Sequence, residues 1–391
     1  MSIRASLITL SLGWVLIYAD RLSISPLMIL IRQQFNLSFF SVSLLLSIYF
    51  LAYVAFTIPA AIISEKFGYK RTMVAFLFLA AISFAFVGVF GSSYYFLLVF
   101  LGLHGVGAGA YYPTAFKIST TISPPEKRGL SSAIINCGMG LGTIIGLTIA
   151  GPTLLLFKSW QAVFLLLSAP TALTALLLER TIVYKDVRAT SNFRLSTFKE
   201  LFQNKNFIYM CLAMFCSLYG YWVILSWAPS FLQTTRHLNV FYSGLATGIF
   251  AAVAIPSSVL IARYSDRIGR KKISLLILPL ASLSILLMAF TQNLLVFMIA
   301  IVVYGIVGKL TLDPLVVAWT GEVVSSTSLG LALALLNVFA MGSSILAPVI
   351  TGVLADASGT LSYGFYAGSV VVIIGTGFLA LVTRDRPRTR L

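Results

Sequence analysis

Apolar residues run almost unbroken over 5–31, 41–63, 72–90, 94–118, 129–156, 160–178, 207–232, 242–262, 273–290, 294–319, 328–352 and 362–383, numbered here as spans 1 to 12. A helix crossing the hydrocarbon core of a bilayer needs about 20 such residues, so each run is a candidate membrane span. Polar residues collect in the short connections. The longest connection, about 179–206, carries Arg188, Asn192, Arg194, Lys199 and Glu200 and falls at the middle of the chain. The pattern predicts an all-α membrane protein of twelve transmembrane helices: a bundle over 1–180, a linker over 181–206 and a second bundle over 207–391. Span 1 is too long for a signal-peptide core and contains Asp20 and Arg21, so it is expected to stay uncleaved.

Charge orients this arrangement. Of the 27 Lys and Arg residues, 22 fall in alternate connections: at Arg4, around Lys66–Arg71, around Lys117–Arg128, over 180–205, over 263–272 and over 384–390. The opposite connections hold only Arg32, Lys158 and Arg236, while Arg21 and Lys309 lie inside spans. Positive loops stay in the cytoplasm. Both termini are therefore expected there, in a multi-pass protein of the cell membrane.

The two halves repeat. Tyr18 and Tyr219, Gly68 and Gly269, Lys70 and Lys271, Pro113 and Pro314, Gly129 and Gly330, Asn136 and Asn337, and Gly151 and Gly352 are each 201 positions apart. Seven pairs on one offset, at equivalent points of equivalent spans, point to duplication. A parallel repeat of six spans is a transporter architecture, with its site near the bilayer midplane.

Composition narrows the class further. Of 391 residues, 59% are hydrophobic and 10% charged, against about 45–50% and 25% in soluble domains. This excludes a soluble enzyme, a disordered chain and a disulfide scaffold. The net charge of +16 would suggest nucleic acid in a soluble protein. Here the basic loops account for it, and no nucleic-acid partner is expected. Cys137, Cys211 and Cys216 lie in apolar runs with only two histidines in the chain, so they read as packing residues. There is no metal cluster, nucleotide loop or nucleophile–base arrangement. No metal, no cofactor and no enzymatic activity are expected.

Two motifs carry a resemblance. Ala61-x-x-x-Glu65-Lys66-Phe67-Gly68-Tyr69-Lys70-Arg71 and Ala262-x-x-x-Asp266-Arg267-Ile268-Gly269-Arg270-Lys271-Lys272 both resemble the G-x-x-x-D-R-x-G-R-K loop of the major facilitator superfamily. The resemblance covers the whole chain and implies the major facilitator fold. It also implies a gating latch made by Glu65, Gly68, Arg71, Asp266, Arg267, Gly269 and Lys272. In physical terms Gly269 permits a tight turn, Asp266 can pair with a basic side chain, and Lys271 and Lys272 are expected to hold the loop at the lipid headgroups.

A narrower resemblance rests on Tyr18-Ala19-Asp20-Arg21-Leu22-Ser23-Ile24-Ser25, with Gly105–Pro113, Pro125-Glu126-Lys127-Arg128-Gly129, Asn136-x-Gly138 and Ser159-Trp160-Gln161-x-Val163-Phe164. These are similar to the anion:cation symporter family, which includes sugar-acid symporters and sialin-like carriers. That family implies transport of a small organic anion with protons. The chain departs from the family at Ala108, where many proton-coupled members have an acid, and at Leu101, where an Arg is common. Drug antiporters share that Arg and carry G-P-x-x-G-G in span 5, where this chain reads Gly151-Pro152-Thr153-Leu154-Leu155-Leu156.

Ionisable residues inside the membrane are costly and functional by default. Here they are Asp20 and Arg21 in span 1, His104 in span 4, and Lys309 and Asp313 in span 10, with Tyr219, Tyr221 and Trp222 in span 7. The resemblance implies that spans 1, 4, 7 and 10 line the central cavity. Arg21 is the candidate anion site, because its planar fork meets a carboxylate with two hydrogen bonds. Asp20 and Arg21 are adjacent and point about 100° apart, so each seeks another partner. Lys309 and Asp313, four apart, share one helix face and should pair, and Pro314 should kink the helix there. Tyr18, His104, Tyr112, Asn136, Tyr219, Tyr221, Lys309 and Asn337 join Arg21 as candidate substrate contacts. Asp20 and Asp313 are the candidate proton carriers.

The expected function is secondary active transport by alternating access. The cargo is a small organic anion, such as a carboxylate or sugar acid, moved by proton symport. The partners are that substrate, protons and the lipid bilayer, and the protein is expected to act as a monomer. Export of amphipathic or drug-like compounds is the alternative among transporters. A transport-inactive receptor or scaffold is the alternative of another class.

Overall fold

A chain surrounded by lipid has to bond every backbone N–H and C=O internally, and helices do so within one segment. The computed structural model describes residues 3–124, 127–182, 184, 195–325 and 328–383; among these no strand forms. Part of the 181–206 linker, including Arg188, Asn192 and Arg194, lies outside the described residues, as do Pro125, Glu126 and the basic positions 384–390. Twelve helical stretches are long and apolar enough to cross a membrane: Ile3–Gln34, Phe39–Phe67, Tyr69–Val89, Tyr94–Ile122, Arg128–Phe157, Gln161–Thr181, Lys205–Arg236, Val240–Ile268, Arg270–Phe290, Leu294–Val323, Leu329–Ser358 and Ser362–Leu381. They keep the numbers 1 to 12.

The chain forms two compact units. One comprises Met1–Ser191 with His237–Leu245, the other Asn192–Arg236 with Ala246–Leu391. Inside the first, span 1 packs along spans 5 and 6, span 3 along spans 4 and 6, and span 2 along span 4. Inside the second, span 7 packs along spans 11 and 12, and span 9 along spans 10 and 12. Four of these pairings are the same pairings displaced by six spans, which is the duplication read from the sequence.

The duplication reaches the backbone. Gly68 and Gly269 end spans 2 and 8 with φ of 100° and 109°, a region that side-chain-bearing residues avoid. Each N–H bonds the carbonyl four residues back, Ser64 and Ser265, at 2.9 Å, and each carbonyl then starts the next span.

Glycines also set the closest helix approach in the first unit. A Cβ at Gly138 would lie 2.6 Å from the Ser11 carbonyl oxygen, and one at Gly146 2.6 Å from that of Ala19. Span 5 therefore lies directly on the backbone of span 1, the close approach that small residues permit.

Three spans are interrupted. The helix Ile3–Leu22 of span 1 gives way to a 3-10 turn at Ser25–Leu27, where Pro26 sits. Span 4 breaks at Ala110, between Tyr94–Gly109 and Tyr111–Ile122. Pro113 has no N–H for the carbonyl of Gly109, which accounts for that break. Span 10 breaks at Gly308, not at Pro314 as the sequence suggests, and the second helix, Lys309–Val323, runs through Pro314. Gly308 bonds back to Tyr304 at 2.7 Å and its carbonyl accepts from Leu312 at 3.1 Å, so it closes one helix and opens the next.

Two packing expectations are corrected. Cys211 and Cys216 are buried, but Cys137 is exposed, because it follows the exposed Asn136 around the outward side of span 5. Lys271 does not reach for headgroups. Its Nζ donates to the carbonyls of Ala380 at 2.8 Å and Val382 at 2.7 Å, capping the end of span 12, where a cation suits the negative pole of the helix.

Candidate functional site

The first unit holds a fully buried group of ionisable side chains. Asp20, Arg21 and His104 are 0%, 1% and 0% exposed. Asp20 and Arg21 leave span 1 in different directions, as adjacent helix positions must. The carboxylate faces spans 4 and 6: Thr171 donates its hydroxyl to Asp20 Oδ2 at 3.1 Å, and His104 Nε2 stands 4.0 Å from the same oxygen. The guanidinium turns towards span 2. Its carbon lies 3.4 Å from the centre of the Tyr18 ring and 5.9 Å from those of Phe50 and Tyr53. A guanidinium over aromatic faces is held electrostatically by the ring quadrupoles. Arg21 also lies in the last turn of the helix Ile3–Leu22, where a cation is favoured.

His104 is fixed on all sides. Its ring stacks on Phe84 at 4.6 Å and on Tyr49 at 5.4 Å. Nδ1 lies 3.0 Å from the carbonyl oxygen of Ala80 in span 3. That oxygen can only accept, so Nδ1 carries the hydrogen, and in the neutral form of the ring Nε2 is the acceptor.

The second unit has a smaller cluster. Lys309 and Asp313 form an ion pair across one turn, with side chains 13% and 29% exposed. Lys309 Nζ lies 5.5 Å from the ring centre of Tyr221. Tyr219 and Tyr221 are buried, and Tyr221 packs edge-on against Trp222 and Phe250.

The remaining candidates are dispersed. Tyr112 is 38% exposed and packs against Phe116 and Trp14. Asn136 and Asn337 are both exposed on their helices and do not glue helices inside their units. In the second basic loop, Arg270 donates to Asp266 at 3.0 Å, to the Ala318 carbonyl at 3.0 Å, and to Glu322 of span 10. Arg267 and Lys272 point outward there. In the first loop, Glu65 and Arg71 are exposed, and neither forms an ion pair among the described residues.

Sequence reasoning missed Thr171, the Ala80 carbonyl, Arg270 and Glu322. Thr171 and Ala80 are neutral positions in apolar spans and gave no signal. Glu322, an acid near the end of span 10, was the one detectable clue.

The fold and these buried charges define a membrane transporter built on two related bundles. The sequence model of the Major Facilitator Superfamily matches residues 10–308 and 210–391, and the chain belongs to that superfamily, whose members are secondary transporters. Among curated relatives, a probable sulfoacetate transporter of Cupriavidus necator is 24% identical over 66% of this chain and 64% of its own length. The hexuronate transporter of Bacillus subtilis is 24% identical over 97% of this chain and 93% of its own. The chain thus spans just under two thirds of the first of these relatives and nearly all of the second. Among solved structures, a bacterial homolog of the human lysosomal transporter Spinster, in an inward-facing and occupied conformation, superposes with a TM-score of 0.84. It is 19% identical, over 97% of this chain and 96% of that one.

Proposed function

We propose that this protein moves a small organic anion, a carboxylate or sugar acid, in symport with protons by alternating access, from a cell membrane in which both termini face the cytoplasm. The observation that carries this reading is Arg21: a guanidinium 1% exposed, stacked at 3.4 Å on Tyr18 inside an apolar bundle. A buried cation of this kind costs free energy to insert. An anion gripped by both arms of its fork offsets that cost. Two relatives support the substrate class, since one is named for sulfoacetate and the other for hexuronate.

Asp20 is the proposed proton carrier. A proton there removes a negative charge beside Arg21 and favours anion entry, so that the two travel together. Lys309 and Asp313 serve mainly each other, and their pair steadies the broken span 10. The acid that many proton-coupled members of the related family carry at the position of Ala108 is missing here, which leaves Asp20 as the carboxylate beside Arg21.

The test is uptake by purified protein in proteoliposomes, with hexuronates and short sulfonated acids as cargo and an imposed pH gradient. An inward proton gradient should accelerate uptake. Arg21→Lys should cripple binding although charge is kept, and Asp20→Asn should still bind but lose the response to the gradient. Wild-type binding by Arg21→Ala, or preference for a cationic cargo, would overturn the anion assignment.

A further inference from the structure

Asp20 Oδ2 and His104 Nε2 face one another at 4.0 Å with both residues fully buried. Neither His104 Nε2 nor Asp20 Oδ1 has a hydrogen-bond partner among the described residues. The Ala80 carbonyl fixes the imidazole hydrogen on Nδ1, 3.0 Å away. Nε2 is then a bare acceptor aimed at a carboxylate, and two acceptors cannot bond without a proton between them.

We infer that the proton site is a dyad, in which His104 positions and receives the hydrogen bond of protonated Asp20, and that loading one proton pulls span 1 and span 4 together inside the first unit. This rests on the proposed role of Asp20 as proton carrier and adds a second residue to it. The balance is simple. One proton enters the pair and resides on Asp20 Oδ2, whose O–H donates to His104 Nε2. No other bond breaks, and Thr171 keeps its hydrogen bond to Asp20.

The geometry says where the movement occurs. Span 4 is locked to its neighbours by glycines: a Cβ at Gly107 would lie 2.6 Å from the Ala80 nitrogen of span 3, and one at Gly109 2.7 Å from the Tyr53 carbonyl oxygen of span 2. Span 1 is locked to span 5 at Gly138 and Gly146 in the same way. The unit therefore contains two tight packages, spans 1 and 5 and spans 2, 3 and 4, already tied at one point, where Tyr111 of span 4 donates to the Leu10 carbonyl of span 1 at 2.7 Å. The Asp20–His104 gap lies on the seam between them. A hydrogen bond at ~2.8 Å closes that seam by roughly 1 Å.

The other titratable or charged groups around the pair are Arg21 and Tyr18 on span 1 and Tyr49 and Tyr53 on span 2. Span 3 contributes the Ala80 carbonyl and Phe84, span 5 its glycines, and span 6 Thr171. With no further carboxylate among them, an acid band that disappears in Asp20→Asn reports this site.

The experiment is pH-difference infrared spectroscopy of the purified protein in lipid, which requires no substrate. Acidification should produce a carboxylic-acid C=O band that is absent in Asp20→Asn. In His104→Phe, which keeps a ring between Phe84 and Tyr49, that band should move to higher frequency as the hydrogen bond is lost. In His104→Gln, whose amide oxygen can still accept, it should move less, and this variant serves if His104→Phe does not fold. Proton-driven accumulation should fall about tenfold more than substrate exchange in His104→Phe. An Asp20 band with unchanged frequency in both His104 variants overturns the dyad and leaves Asp20 as a lone carrier. No Asp20-dependent band at any pH overturns the dyad and the carrier role together.

Discussion

In the first unit the ionisable groups belong to two spans and are sealed off: Asp20 and His104 at 0% exposure and Arg21 at 1%. In the second they stand one turn apart on a single span and stay partly accessible, Lys309 at 13% and Asp313 at 29%. The basic loops differ in the opposite sense. Arg270 ties the second loop to Glu322 of span 10, whereas Glu65 of the first has no ion pair among the described residues. Lys70 and Lys271 make the same reach, but Lys70 meets the carboxylate of Glu179 at 3.7 Å and Lys271 meets bare carbonyls. Duplication thus preserved the frame, its glycine turns and its span pairings, while the charges were free to diverge. The buried charges of the first unit join spans 1, 4 and 6, whereas the charged pair of the second lies within span 10.

Substitutions can break this contrast, beginning with the largest effect. Arg21→Lys should weaken anion binding by roughly 10- to 100-fold, the ~1.5–3 kcal/mol of a charge-assisted contact that the lysine point charge does not restore. Equilibrium binding checks it; a shift below threefold would make the Arg21 fork irrelevant.

Next comes the span 10 pair. Lys309→Ala or Asp313→Ala alone should each lower stability by about 1–2 kcal/mol, short of the ~3–5 of a fully buried pair because both side chains are partly accessible. The double variant should be more stable than either single one in thermal unfolding. Strict additivity would mean that the two do not compensate.

The loops sharpen the comparison with smaller effects. Arg270→Gln and Glu322→Gln should each cost about 1 kcal/mol, and Asp266→Asn about 0.3–0.5, since its partner is one turn away on an exposed face. Asp266→Asn should also slow turnover while sparing binding, which separate rate and binding measurements resolve. Glu65→Gln should fall within ~0.5 kcal/mol of wild type. An equal penalty at Glu65 and Asp266 would erase the difference between the two copies.

Much of this frame was readable from the sequence because lipid imposes a strong rule: each of the twelve apolar runs became a span. The 201-residue offset also had backbone meaning, since Gly68 and Gly269 share one unusual conformation. The spacing of Lys309 and Asp313 gave their pairing. What stayed hidden depended on tertiary geometry. Pro314 drew attention from Gly308, because a proline announces a break and a glycine in an apolar run does not. Arg270 is one of five basic residues over 263–272, and nothing in that run marks it as the one that reaches Glu322. Thr171 is a neutral residue 151 positions from the carboxylate it serves, and no local pattern connects them.

That separation has a consequence for how the protein is made. Ribosomes add about 5–20 residues per second, so roughly 8–30 s pass between the synthesis of Asp20 and of Thr171. During that interval span 1 has two ionisable residues to accommodate, each costing about 2.5–3.5 kcal/mol at the centre of a helix on insertion scales. His104 and the glycines of span 5 also arrive later. Span 1 must therefore be retained by the insertion machinery, or held shallow at the interface, until span 6 emerges. The first unit can complete its interior only at the end of its own translation, and truncations that stop before Thr171 should leave span 1 poorly inserted.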